Sequence, residues 1–149
     1  MQTLSPSSGQ TTRTWYFFDA RDQILGRLAV QIASILMGKH KTSFVRHLDI
    51  GDHIVVVNAG LVKVSGRKEQ QKIYHRHSGY PGGMKITSLK ILRQTHPERI
   101  IIHAVSGMLP DNKLKARLLK HLHVYPGPDH PYQSQFKNSE IKNWYLIKN

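Results

Sequence analysis

Apolar residues in the first part of the chain occur either in short continuous runs or at helical spacing. Residues 15–18, Trp-Tyr-Phe-Phe, form an aromatic run that is typical of a β-strand. From Ile24, apolar residues recur at helical spacing and predict an amphipathic helix, which Gly38 ends as a left-handed C-cap. Residues 54–57, Ile-Val-Val-Val, suit a strand covered on both faces in a parallel sheet. Strand, helix and strand in this order predict the first unit of an α/β domain.

The middle of the chain is less regular. Residues 62–64, Val-Lys-Val, favour another short strand, which the turn signal Ser65-Gly66 would end. Residues 77–85, His-Ser-Gly-Tyr-Pro-Gly-Gly-Met-Lys, contain too much Gly and Pro for a regular element. We therefore expect a long loop there.

Three helices are expected after this loop. Thr87 or Ser88 can cap the first, Pro97 fits the first position of the second, and Asp111 or Asn112 can cap the third. Residues 100–102 are isoleucines that fit a strand equally well, but Val105 and Met108 continue the pattern at helical spacing and favour a helix. The third helix is predicted to include Leu122. The complete order predicts a single α/β domain with a mostly parallel central sheet of about four strands.

Charge is the strongest compositional signal. The 149 residues include 22 Lys and Arg but only nine Asp and Glu, which gives a formal net charge of +13 and an isoelectric point near 10.2. Such an excess destabilises a compact state unless an anionic partner neutralises it. A nucleic acid is the natural partner, because each neutralised phosphate releases a counterion. A membrane surface would need an amphipathic helix with a wholly basic face, and none stands out.

Features that the sequence lacks exclude several classes of protein. There is no cysteine, which excludes disulfides and thiolate zinc sites. No run of about 18 apolar residues is present that would span a bilayer. The first 14 residues lack the apolar stretch of a secretory signal, and we expect a flexible tail there.

Residues 38–41, Gly-Lys-His-Lys, follow the first predicted helix and place three potentially cationic side chains together. These side chains can contact a phosphate backbone. The alternative is a solvated cap, since cations at a helix C-terminus complement its dipole. The motif is not a Walker loop, because the preceding glycine and the following Ser or Thr are misplaced.

Residues 72–85 combine cations, aromatic residues and glycines. Glycines let a backbone approach a phosphate closely, and aromatic side chains can stack on unpaired bases. Tyr74, His75 and Tyr80 are the expected stacking residues. The alternative is a mobile surface loop whose charge only improves solubility.

Ten histidines raise the alternative of a metal site, with His75-x-His77 and His121-x-His123 as the closest pairs. A zinc site needs a third ligand, however, and both pairs lie among cations that repel a metal ion. We therefore expect neither a metal nor a cofactor, and a metal-assisted nuclease is the disfavoured alternative function.

Catalytic residues are not predicted either. Four acids stand at the ends of predicted elements, where capping or pairing with Arg or Lys explains them: Asp19, Asp22, Asp49 and Asp52. The Gly-x-Ser-x-Gly motif of a serine nucleophile is absent. The sequence indicates a binding protein and not an enzyme.

Several short motifs stand in a fixed order between Trp15 and Gly127. They are Trp15-Tyr16-x-x-Asp19-Ala20, Leu25-Gly26-Arg27-Leu28-Ala29, Gly38-Lys39-His40-Lys41, His47-x-Asp49-x-Gly51-Asp52, Val57-Asn58-Ala59, Ser65-Gly66-x-Lys68, His77-Ser78-Gly79-x-x-Gly82-Gly83, Pro97-Glu98-Arg99, Ala104-Val105-x-Gly107-Met108-Leu109-Pro110 and Val124-Tyr125. Their order and spacing together resemble the L-thirteen family of large-subunit ribosomal proteins, and most closely its cyanobacterial and plastid members.

The resemblance implies a three-layer α/β/α fold and a structural role in the large ribosomal subunit. It implies binding of large-subunit rRNA early in assembly, beside neighbouring ribosomal proteins, in a plastid stroma or a bacterial cytoplasm. Residues 1–14 are then an N-terminal tail, residues 15–128 the rRNA-binding domain and residues 129–149 a C-terminal tail. An extra-ribosomal regulatory RNA-binding module is the alternative function.

The chain departs from the family pattern at two places. Ser106 stands where the family often has Lys, and Leu114-Lys115-Ala116 replaces an expected Leu-Gly-Arg. The arginine contact expected there is not carried over, although Lys115 and Arg117 keep the charge. Residues 136–149 extend beyond the pattern, and their apolar stretch at 144–147 fits docking on a neighbour, docking on the domain or a loosely ordered end.

The residues expected to contact RNA are mainly cations that would position phosphates, together with a few rings that would stack on bases. They are Lys39, His40, Lys41, Arg46, Lys63, Arg67, Lys68, Lys72, Tyr74, His75, Arg76, His77, Tyr80, Lys85, Lys113, Lys115, Arg117 and Lys120.

Overall fold

The computed structural model describes residues 12–137, so most of the predicted N-terminal tail and all of residues 138–149, including the apolar stretch, lie outside the described part. The strands are β1 (Trp15–Asp19), β2 (His53–Val57), β3 (Ile73–His77), β4 (Met84–Ser88) and β5 (Leu122–Val124). The α-helices are α1 (Leu25–Leu36), α2 (Lys68–Gln71), α3 (Leu89–Thr95), α4 (Pro97–Met108), α5 (Leu114–Lys120) and α6 (Gln133–Lys137), and a 3-10 helix spans Ala59–Leu61.

The central sheet is parallel throughout and has the strand order β1-β2-β5. Tyr16, Ile54 and Leu122 lie side by side across it. The predicted α/β class with a parallel sheet is confirmed. In the described part of the chain the central sheet has three strands instead of about four. The difference arises at residues 62–64, where Lys63 forms only a single parallel bridge with Ile24.

Helices α1 and α4 pack against each other and against one face of this sheet. The apolar stripe of α1 is buried, and Leu28 and Ile32 of this helix are at most 1% exposed. Ile101 and Val105 of α4 join the same buried cluster, together with Ile54 of the sheet. Burial of each such side chain contributes roughly 1.5–3 kcal/mol. The helical spacing and the β-branched run of the sequence thus correspond to one buried cluster, which stabilises the fold.

Residues 130–136 pack on the opposite face of the sheet. Trp15 lies against Tyr132, with ring centroids 5.0 Å apart. Phe136 of the five-residue helix α6 meets Trp15 edge-on at 6.3 Å and Phe17 at 5.7 Å. Residues 130–136, which the sequence analysis assigns to the C-terminal tail, therefore cover this face of the sheet.

Two predictions about individual elements are wrong. Strands β3 and β4 pair antiparallel, so residues 77–85 are the end of a β-hairpin and not a long irregular loop. Its turn has positive φ values at Gly79 (92°) and Gly82 (72°), which glycine adopts without strain. The predicted third helix, α5, ends at Lys120, and Leu122 begins strand β5 instead. Leu122 continues the spacing of the α5 leucines, and this local pattern conceals the strand.

The predicted helix ends are otherwise close to the observed ones. Gly38 follows α1 with φ of 74°. The Ser88 hydroxyl accepts the N–H of Ile91 at 3.4 Å and caps α3, and α4 begins at Pro97. Residues 100–102 are helical, as the spacing favoured. At the start of α5 the Asn112 side-chain oxygen accepts a backbone N–H at 3.1 Å.

Candidate nucleic-acid interface

The loop after α1 directs its cations both inward and outward. Asp52 is fully buried, and one of its carboxylate oxygens accepts a hydrogen bond of 2.6 Å from the Lys41 ammonium. The His40 Nε2 atom lies 2.8 Å from the other oxygen. The Lys41 ammonium also donates to two backbone carbonyls, at 2.8 and 2.9 Å. Lys41 therefore neutralises a buried carboxylate and the His40 ring lies beside it, whereas Lys39 is exposed to solvent.

Of the four acids that the sequence places at element ends, Asp22, Asp49 and Asp52 pair with Lys or Arg as expected. Asp22 pairs with Lys63 at 2.7 Å, and this contact holds the pKa of the Asp22 carboxyl below its usual value. Asp49 pairs with Arg13 at 3.2 Å. Asp19 accepts a 2.9 Å hydrogen bond from the side-chain amide of the asparagine after β2. Lys63 stays mostly exposed in its pair, so its ammonium can also reach a phosphate.

A first group of predicted RNA-contacting residues gathers around α5. Arg117 and Lys120 of this helix and Lys113 directly before it are exposed cations at positions i+4, i+7 and i, a spacing that places them on one face. Lys115 is paired with Asp111 at 2.6 Å. A cavity of about 470 Å³, which we call the α5 cavity, is formed by residues of segments 37–48 and 108–112 and of α5. Exposed Lys39 and Arg46 line it.

The β3–β4 hairpin carries a second group, with the exposed cations of Arg67, Lys68 and Lys72 immediately before it. Arg76 and Lys85 stand directly opposite each other in the hairpin register, and both are exposed. Like charges in this position repel each other, and an anion bound between them relieves the repulsion. Tyr80 in the turn is 76% exposed, so its ring is free to stack.

The three predicted stacking residues have different environments. The ring of Tyr74 is half-buried, 5.5 Å from the ring of His103, with the Lys72 ammonium 5.3 Å away. Burial raises the pKa of the Tyr74 phenol. His75 and Tyr80 are exposed. Tyr74 therefore anchors the base of the hairpin, and the two exposed rings lie further along it.

A cluster of rings on the sheet face opposite α1 is not anticipated by the sequence. Trp15 stacks on His53, with centroids 4.4 Å apart, and His123 stacks on Trp15 at 5.8 Å. Burial, together with the nearby charges of His121 and Arg13, lowers the pKa of His53 to about 4. Burial also lowers the pKa of His123. These residues come together only because three paired strands place them on the same face of the sheet, and nothing local in the sequence signals that.

Within residues 12–137, no three His, Cys, Asp or Glu side chains are grouped so that they could hold a metal ion. His121 hydrogen-bonds Asp49 at 2.9 Å, and His123 lies 3.3 Å from the hydroxyl of Tyr132. None of the helices in this part of the chain is long and apolar enough to cross a membrane.

Comparison with known proteins gives a consistent result. A family model described as Ribosomal protein L13 matches residues 13–131. Proteins named large ribosomal subunit protein uL13 from Crocosphaera subtropica and Synechococcus elongatus are each 53% identical to the chain over 134 residues, which cover 90% of this chain and 89% of the relative. The protein of the same name from Herpetosiphon aurantiacus is 50% identical over 135 residues, covering 91% of this chain and 94% of the relative.

Proposed function

Because the chain belongs to the ribosomal protein L13 family, we propose that it is a structural constituent of the large ribosomal subunit. The observation that carries this proposal is the agreement between the family model and relatives that match nearly full length, all named as proteins of that subunit. Its site of action is then a ribosome, in a bacterial cytoplasm or a plastid stroma. The cyanobacterial relatives fit both locations.

Large-subunit rRNA is the proposed partner, beside neighbouring ribosomal proteins. The net charge of +13 calls for an anionic partner, and the exposed cations of the α5 and hairpin groups supply phosphate contacts. Lys39 and Arg46 would face the RNA. Lys41 and His40 would act indirectly, because their contacts with Asp52 hold the loop of residues 41–52 in shape. The rRNA-binding domain would comprise residues 15–128.

This role is non-catalytic. The acids expected to be structural are engaged with Lys, Arg or amide groups in the described residues. The histidines with lowered pKa lie within a stack of rings and not beside a candidate nucleophile. The chain would support assembly by neutralising phosphates where rRNA segments converge.

Reconstitution of the large subunit from its rRNA and purified proteins tests the assembly role. Omission of this chain should reduce the yield of complete subunits, and adding it back should restore the yield. A variant with Lys113, Arg117 and Lys120 changed to Ala should restore it only in part. An unchanged yield without the chain would contradict the assembly role.

A further inference from the structure

The α5 cavity forms where two segments far apart in the sequence meet. The loop after α1 contributes Phe44 and Val45, the end of α4 and the turn after it contribute Met108 and Pro110, and α5 contributes Leu114. Its volume of about 470 Å³ lies within the ~300–1,000 Å³ of small-ligand sites, so a group as large as a nucleobase fits.

The walls of the α5 cavity suit a flat ring. Phe44 is half-buried, so its ring is held by the fold yet still borders the cavity. Met108 is 39% exposed, and a thioether packs well beside an aromatic ring. Unpaired RNA bases are commonly recognised by stacking on such rings, because every base has an apolar π-face.

The rim of the α5 cavity is cationic. Lys39 and Arg46 both line it and are exposed, and no acid lies among the described residues that line it. An apolar side chain of a protein partner would fill the walls but would leave these two charges without a counter-charge. A nucleotide brings a phosphate on each side of its base and satisfies both.

Asn112 adds a polar group at the same rim. Its side-chain oxygen already accepts the backbone N–H of Lys115 at 3.1 Å, which fixes the orientation of the carboxamide. The amide nitrogen makes no hydrogen bond to the described residues, so it can donate to an acceptor on the edge of a base.

We propose that the α5 cavity holds one unpaired base of the large-subunit rRNA, stacked on Phe44, with flanking phosphates at Lys39 and Arg46. The inference rests on the proposed role in the large subunit and assigns part of the RNA contact to a defined pocket. It also gives a shared purpose to the loop after α1 and the Met-Leu-Pro turn after α4, which the phosphate-binding role leaves unexplained.

Binding of the full chain to whole large-subunit rRNA tests the stacking. Phe44→Leu keeps an apolar side chain of similar volume but removes the ring, and the dissociation constant should rise about tenfold. Phe44→Tyr should restore binding to within about twofold, since it retains the ring. Val30→Ala, at a 58% exposed position of α1, is the matched control and should bind as the wild type. Equal affinity of the Leu variant and the wild type would overturn the proposal.

Electron cryo-microscopy of the assembled large subunit gives an answer that does not depend on the stability of a variant. A base seated between Phe44 and Leu114 is the expected result. A neighbouring protein's side chain in the cavity, or an empty cavity, would overturn this inference and leave the ribosomal role intact. Absence of the chain from the subunit would overturn both.

Discussion

Lys39 and Lys41 are two residues apart in one loop and have opposite environments. The Lys41 ammonium is held by three oxygen atoms, one of them from fully buried Asp52, whereas Lys39 is exposed. A buried carboxylate costs several kcal/mol unless it is paired and hydrogen-bonded. Lys41 therefore contributes to the stability of the fold, and Lys39 to the charge of the surface.

Replacement of each lysine by Met separates these roles. Lys41→Met leaves Asp52 buried without its cation, and the free energy of unfolding should fall by about 3–5 kcal/mol. Lys39→Met removes the same charge from an exposed site and should change it by less than about 0.5 kcal/mol. Urea unfolding of both variants makes the comparison. Equal losses would contradict the inward role of Lys41.

The sequence predicts that Asp52 either caps an element or pairs with Arg or Lys, and the structure shows the pairing with Lys41. The sequence does not name the cation, because the partner depends on where residues 50–52 pass beneath the end of α1. The close approach at Gly51, where a Cβ atom would lie 1.8 Å from the Leu36 carbonyl oxygen, determines that path. It is a tertiary feature with no local pattern.

His53 should make the stability of the fold depend on pH. Its pKa is lowered from 6.5 to about 4, mainly by burial, so the folded state keeps the imidazole neutral where the unfolded state protonates it. The unfolded chain therefore binds more protons between these values. The free energy of unfolding should fall as pH decreases from about 6.5 to about 4, and His53 should add no further loss below that range.

Urea unfolding at pH 7 and at pH 4.5 measures this effect. His53→Phe keeps a ring against Trp15 but cannot titrate, so its loss of stability between the two pH values should be smaller than that of the wild type. The pKa of His123 is lowered in the same direction, so part of the dependence should remain. An identical pH dependence in the variant would exclude His53 as its source.

Among the elements, the β3–β4 hairpin carries one cation on each strand and no acid. Arg76 and Lys85 are cross-strand neighbours, and such a like-charge pair opposes hairpin formation by roughly 0.2–1 kcal/mol when no anion is present. The conformation predicted for this segment from the sequence is wrong. The Gly and Pro content indicates a turn, and only the pairing of residues 73–77 with residues 84–88 shows two strands beside it.

Removal of one member of this pair should have two opposite effects. Arg76→Ala should reduce the slope of log affinity for rRNA against log salt by about 0.7–0.9, the value of one phosphate contact. Without RNA, the same change should leave the protein as stable as the wild type or slightly more stable. Filter binding at a series of salt concentrations gives the slope, and urea unfolding gives the stability.

Lys90→Ala is the matched control for the hairpin. Lys90 is exposed on α3, is outside the predicted RNA-contacting set and carries the same charge as Arg76. Its loss should leave the salt slope unchanged. A decrease equal to that of Arg76→Ala would mean that net charge, and not the position of the hairpin, determines the slope.

The other elements differ in how far the sequence predicts them. Strands β1 and β2 and helices α1 and α4 follow from apolar runs and helical spacing, since each buries its own pattern in the core. Strand β5 has only three residues, and it is defined by parallel pairing with β2, which is distant in the sequence. The helical spacing therefore assigns Leu122 to α5, although it begins β5.

At the scale of the whole molecule, the net charge indicates the class of partner and the fold indicates where that partner can bind. The net charge of +13 predicts an anionic partner, but the same composition fits many nucleic-acid-binding proteins. The fold places many of the predicted cations on or next to the hairpin and around α5. The α5 cavity could not be predicted, because its walls come from segments about 60 residues apart.

The most direct test of the ribosomal role is sedimentation of an extract from the source cells or plastids on a sucrose gradient, with each fraction probed for this chain. We expect near-stoichiometric amounts in the large-subunit and whole-ribosome peaks, retained at moderate salt, because many phosphate contacts hold the chain. Confinement of the chain to the light fractions would contradict the account and would favour an RNA-binding role outside the ribosome.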